Sequence, residues 1–198
     1  WYTRHPAPGE PLYEEGGFFE EVWFHEIGGS ADDRRDLAGV FADDRIAEHF
    51  LSSSPDGEWV MDRIQKGDGG EWQIFVRSQG GGDWWKLADL ADEVVDAAFA
   101  AGAIFLLSRR DAPHGTILRL PLAPGATVAD ASVVVPHSTL TIEGLAVTDA
   151  QVWVLDIDGG PSGLRAFTHE GVPLPAVELP AMCAIDEVTR LGGDRRVV

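Results

Sequence analysis

The first residues to test are those able to carry covalent chemistry. A serine nucleophile on a strand-to-helix elbow reads Gly-x-Ser-x-Gly, because the sharp turn needs glycines around the hydroxyl. The nearest string is Gly160-Pro161-Ser162-Gly163-Leu164, which lacks the last glycine and lies between two strand patterns. Gly28-Gly29-Ser30-Ala31-Asp32 fails in the same way. Both are therefore expected to be loops. The six histidines, His5, His25, His49, His114, His137 and His169, never fall at i, i+4 or in a ligand cluster, so each is expected on the surface or in a loop. With one cysteine, Cys183, there is neither an intrachain disulfide nor a zinc site built on cysteine pairs.

Other ligand chemistries are equally thin. Asp156-Ile157-Asp158-Gly159 begins like a calcium loop, but the sixth and twelfth positions, which call for Gly and Glu, are Pro161 and Phe167. A turn is expected there. The glycine runs Gly67-Asp68-Gly69-Gly70 and Gly80-Gly81-Gly82 lack the Lys-Ser/Thr pair of a phosphate cradle and read as hairpin tips. The acidic pairs Glu14-Glu15, Glu20-Glu21, Asp32-Asp33, Asp43-Asp44 and Asp92-Glu93 read as solvated faces. No catalytic, cofactor-binding or metal-ligating residue, and no cofactor, is assigned from the sequence.

Composition narrows the class. The 198 residues carry 15 Lys and Arg against 33 Asp and Glu, a formal net charge of −18. Binding of a phosphate backbone needs a basic footprint, so nucleic acid is not an expected partner. With 44% hydrophobic residues and seven tryptophans, the chain has enough apolar surface to offset chain entropy. No run reaches the roughly 18 apolar residues of a membrane span; Val94 to Leu107 is broken by Asp96 and Gly102. No membrane partner is expected. The expected compartment is the cytoplasm, with the periplasm as the alternative; no signal peptide is visible, but the sequence opens at Trp1 rather than Met, so the natural N-terminus is expected to be missing.

Positioning elements come from a repeat. Four turn signals recur: Asp56-Gly57-Glu58-Trp59, Ala101-Gly102-Ala103-Ile104, Asp149-Ala150-Gln151-Val152 and Gly193-Asp194-Arg195-Arg196. Their fourth members are separated by 45, 48 and 44 residues. An apolar stretch precedes each turn and further short strands follow it. Trp72, Ile74 and Val76 alternate as on one strand face. The later strands are Ile104–Leu107, Ile117–Leu120 and Val133–Val135 in one unit, and Val152–Leu155, Leu164–Phe167 and Val177–Leu179 in the next. Four strands per unit of this length is the pattern of a β-propeller blade. A single large sandwich is the structural alternative. The one helix candidate, Leu87 to Ala98, rests only on Ala, Asp and Glu content.

The expected fold is thus all-β: a partial β-propeller of about four four-stranded antiparallel blades. Its units run roughly 1–44, 45–90, 91–137 and 138–182, with the next starting at 183–198. Trp1–Arg4 and Arg195–Val198 look like the same strand of different units, so the chain is expected to be an excerpt of a larger propeller. Trp23, Trp59, Trp72 and Trp153 are expected in packing between blades. In Trp84-Trp85, adjacent strand residues point to opposite faces, so one of the two is expected to reach another blade or domain.

The ordered motifs carry a resemblance. Trp1-Tyr2-Thr3-Arg4-His5-Pro6 followed by Glu21-Val22-Trp23-Phe24-His25-Glu26-Ile27-Gly28 resembles the propeller of prolyl oligopeptidases. Ser54-Pro55-Asp56-Gly57-Glu58-Trp59 is similar to a turn of that family, and the stretch from Ser108 to Gly115 to its "asparagine-arginine-aspartate-alanine-proline-arginine-glycine" segment. Ile117–Leu120, Val133–Pro136 and Ser162–Phe167 continue in the same order. The resemblance implies one part of a seven-bladed propeller that caps the α/β-hydrolase domain of a serine peptidase and admits short peptides cleaved after proline. The catalytic Ser, Asp and His of the family lie in the hydrolase domain, and none maps onto this chain. The implied partners are that hydrolase domain, within the same parent chain, and short peptides. A stand-alone propeller binding protein or carbohydrate is the alternative.

Overall fold

The computed structural model describes residues 1–36, 44–191 and 197. It contains four antiparallel sheets, each made of strands consecutive in the chain. The first comprises β1 (Tyr2–Arg4), β2 (Glu21–Phe24) and β3 (Arg34–Asp36). The second comprises β4 (Ala47–Ser53), β5 (Trp59–Lys66), β6 (Trp72–Ser78) and β7 (Trp85–Ala88). The third holds β8 (Val94–Ala100), β9 (Ala103–Ser108), β10 (Thr116–Pro121) and β11 (Ser132–Val135). The fourth holds β12 (Thr141–Val147), β13 (Gln151–Ile157) and β14 (Ser162–Thr168).

The expected turns join first and second strands of the sheets. At Ser54–Trp59 the Ser54 hydroxyl donates to Asp56 Oδ1 at 2.5 Å, Glu58 N–H donates to the same oxygen at 3.0 Å, and Gly57 takes φ +73°. Ala101-Gly102 joins β8 to β9, and Asp149-Ala150 joins β12 to β13. The turn at Gly193–Arg196 lies outside the described residues.

Strand alternation sends opposite faces of each sheet to opposite neighbours. Met61, Ile74 and Val76 of the second sheet pack with Phe99, Ile104, Leu106 and Leu120 of the third. Phe105, Leu107 and Ile117, on the reverse face of the third sheet, pack with Ile142, Val152, Val154 and Phe167 of the fourth. Every residue of β9 is buried, because both of its faces are covered by a neighbouring sheet. Stacking of successive sheets face to face is the arrangement of propeller blades, and it is not a two-layer sandwich.

Three sequence expectations need correction. The Leu87–Ala98 segment is β7, a short 3-10 turn at Leu90–Asp92 and β8, with no α-helix. Burial of Val94, Ala97 and Phe99 between sheets overrides the weak helical propensity of the Ala residues. The first and fourth sheets have three strands among the described residues, not four. The expected strand Val177–Leu179 forms no ladder. Pro173, Pro175 and Pro180 remove backbone donors there, and the segment is held by single contacts, Leu174 N–H to Ala166 O at 2.8 Å and Ser162 N–H to Cys183 O at 2.9 Å.

Gly171, in the turn after β14, has φ +85°, and a Cβ there would stand 2.4 Å from the Val134 carbonyl oxygen of β11. Gly171→Ala is expected to lower stability by about 2 kcal/mol, from the left-handed backbone and the overlap together. Urea unfolding checks this.

Candidate functional site

A buried His–Asp pair beside an open cavity lies between the first and second sheets. His49 on β4 pairs in register with Ile64 of β5, which places its ring diagonally across from Asp62 on the same face. That face looks toward the first sheet, where Arg77 of β6 bonds Asp36 of β3 at 2.8 Å. His49 Nδ1 is 2.7 Å from Asp62 Oδ2, with side-chain exposures of 2% and 0%. Burial pushes the Asp62 carboxyl above the usual aspartate range, and the hydrogen bond from His49 opposes that shift. Glu20, just before β2, accepts the His49 backbone N–H at 2.7 Å.

A cavity of about 380 Å³ opens beside this pair, lined by His5, Phe18, Glu20, Arg45, His49 and Phe50 among others. The Arg45 guanidinium lies 3.6 Å over the Phe18 ring and bonds Glu15 at 3.3 Å. The described lining contains no Ser, Thr or Cys. Asp62 does not itself line the cavity, and the described lining offers no hydroxyl or thiol for acyl transfer.

Because the folded carboxyl of Asp62 titrates higher than the unfolded one, the native state binds the proton more tightly. Stability from this group falls as pH rises from about 4 through the raised value. Asp62→Asn removes that dependence. The stability of Asp62→Asn relative to the parent chain, read from the two urea midpoints, should therefore rise as pH rises.

Two further carboxylates sit at contacts between strands and sheets. Asp96, at the β8 bulge, accepts Leu145 N–H of β12 at 3.2 Å and Ala97 N–H at 2.8 Å, and faces Arg63 of β5 at 3.4 Å. It thus touches three successive sheets. Burial raises its carboxyl, against the donation from Leu145. Asp156 is 2% exposed and holds Arg165 through two bonds of 2.5 and 2.7 Å. Asp156 therefore occupies a strand, not the turn expected for it, and the turn begins at Asp158.

The sequence search missed Asp62 and Asp96 as site groups. The signal available was parity: Asp62 occupies the same alternating positions as Val60 and Ile64, which are buried. The surface placement expected for His49 is wrong for the same reason. Its neighbours Ala47 and Leu51 share its face, and the ring is covered by the first sheet. Ser162 opens β14 and gives its hydroxyl to Ile185 N–H at 2.9 Å as acceptor. His25 meets Asp33 at 2.6 Å on the surface, and His169 meets the Thr148 carbonyl at 3.0 Å. Asp43 lies outside the described residues.

The tryptophans divide between faces. Trp84 Nε1 donates to Asp36 of the first sheet at 2.6 Å, and Trp85 Nε1 donates to Ala126 O of the third at 3.1 Å. All seven are half-buried, none fully. Trp59 packs edge-on against Trp85 of its own sheet at 5.5 Å, and Trp72 donates to Val95 O at 2.9 Å and so bridges to the third sheet. No group of three or more His, Cys, Asp or Glu among the described residues is placed to hold a metal ion. Among the same residues no helix is long and apolar enough to cross a membrane.

Residues 1–196 match the family described as "Prolyl oligopeptidase, N-terminal beta-propeller domain". The chain belongs to this family. It is also similar in fold to a solved prolyl endopeptidase, from a study of inter-domain dynamics in two such enzymes, at 22% identity and a TM-score of 0.77 over 99% of this chain and 28% of that one. Prolyl oligopeptidase B from Galerina marginata, bound to a 35mer hydrolysis and macrocyclization substrate, gives 12% identity and 0.73 over 99% and 28%. Its apo form gives 13% and 0.70 over 96% and 26%. The chain thus spans little more than a quarter of the solved proteins it matches. No curated protein matches it. The family assignment agrees with the sheet stacking, and the four sheets are blades of a prolyl oligopeptidase propeller.

Proposed function

We propose that this chain is the non-catalytic propeller part of a prolyl oligopeptidase-like serine peptidase, where it caps the active site and admits short proline-containing peptides. The observation that carries this reading is the match of residues 1–196 to the propeller domain of the family. The partners are then an α/β-hydrolase domain and the peptide.

The test uses the full-length protein that carries this chain. Hydrolysis of proline-containing peptides should decline as the peptide grows longer, and folded proteins should survive. Equal rates on a short peptide and on a folded protein would overturn the cap. So would hydrolysis that persists after the active serine of the hydrolase domain is replaced.

The net charge of −18 adds a second expectation. A summed negative field raises the local concentration of cationic peptides. The ratio of kcat/KM for a basic over an acidic proline peptide should exceed one at low ionic strength and fall as salt is added. A ratio indifferent to salt would count against electrostatic selection.

A further inference from the structure

We propose that His114 and His137 form a two-histidine site for a divalent transition metal, Zn²⁺ or Cu²⁺, that ties the β9–β10 loop of the third blade to the segment leading into the fourth. The two rings are 5.5 Å apart between centroids, with planes inclined by 31°. An imidazole nitrogen binds such an ion at about 2 Å, so two rings on one tetrahedral ion have centroids about 5 Å apart. His137 is exposed, so its ring is free to rotate toward a shared ion.

The two rings sit on fixed backbone. The His114 carbonyl accepts Ile142 N–H at 2.8 Å, and Gly115 N–H donates to Ala112 O at 2.7 Å. Gly115 itself, at φ +89°, is pressed against Leu107, so the loop has one packed course. His137 lies two residues after β11 ends at Val135, whose carbonyl accepts the Thr116 hydroxyl at 2.8 Å.

The chemistry of the pair also suits a ligand set. Thr141 Oγ1 lies 2.8 Å from His114 Nδ1. With the hydroxyl as acceptor, the proton stays on Nδ1 and the Nε2 lone pair is left for a metal, the orienting arrangement usual for ligating histidines. His25 and His49, by contrast, each meet a carboxylate. Imidazole nitrogens favour zinc and copper over magnesium or calcium. The negative field of the chain concentrates cations near the pair. Two protein ligands leave the other positions to water, so the ion exchanges with solvent. Because one ligand lies in the third blade and the other on the connection between β11 and β12, the bound ion stabilises the contact between that loop and that connection by linkage.

The experiment titrates the full chain with ZnCl₂ by calorimetry and with CuCl₂ by electron paramagnetic resonance. The expected result is one ion per chain, a copper spectrum split by two imidazole nitrogens, and a Tm that rises with zinc and returns with a chelator. His114→Ala and His137→Ala should each weaken binding by on the order of tenfold or more, since even an outer-shell partner is worth that much. His25→Ala should bind as the parent does. Both variants are at exposed positions, and an unchanged far-ultraviolet circular dichroism spectrum would show that they fold. Absence of a bound ion, a copper spectrum without two imidazole nitrogens, binding that survives in either variant, or an equal loss in His25→Ala would overturn the site.

Discussion

Phe105→Ala is expected to destabilise the chain by about 3–5 kcal/mol, the range for truncating a buried aromatic where the surroundings collapse only in part. Phe105 is fully buried on β9, in the cluster that joins the third and fourth blades, with the His169 ring 5.0 Å away. Both blades contribute to its pocket from regular strands, whose ladders resist inward movement. Phe105→Leu, which keeps most of the volume, should cost clearly less. Urea unfolding with the midpoint and slope recorded separately is the measurement. A loss under about 1 kcal/mol for Phe105→Ala would show that the pocket collapses and that the interface is not packed as described.

Asp62→Ala is the second large effect, about 1–3 kcal/mol. The change removes the carboxylate that meets His49 Nδ1, in a space where neither side chain reaches solvent. The attraction inside the pair is not what is lost; the dominant cost is a buried polar group left without this partner. The double variant His49→Leu/Asp62→Leu should therefore recover much of the loss, because apolar groups of similar volume need no partner. A double-variant cycle reports this directly. If the double variant is as unstable as the sum of the singles, the pair does not act as one buried unit.

Both predictions share an origin in the two-sided burial of the strands. In a sheet with one wet face, parity would separate apolar from polar residues along each strand. Here β9 reads Ala103-Ile104-Phe105-Leu106-Leu107-Ser108 with no polar alternation, and each parity serves a different neighbour. A charged residue within such a strand is forced into an interface. Asp62 and Asp156 meet this with a histidine and an arginine on neighbouring strands, and Asp96 meets it with backbone donors and Arg63.

The sequence by itself determined the local elements whose causes are local. The turn at Asp56-Gly57 follows from the positive φ of glycine and the acceptor on Asp56, both visible in the string. The spacing of these turns gave the repeat, and the repeat gave the stacked sheets. The opposite directions of Trp84 and Trp85 followed from strand geometry alone. Only the tertiary structure decided which residues far apart along the chain meet. His49 and Asp62 are thirteen positions apart and look unrelated until β4 and β5 pair in register. His114 and Thr141, or Asp96 and Leu145, become neighbours only when successive blades stack. The Val177–Leu179 stretch shows the converse. Its alternation suits a strand, but three nearby prolines and the lack of a ladder partner leave it irregular. Burial and pairing are properties of the assembled sheets, and periodicity specifies a face without specifying what covers it.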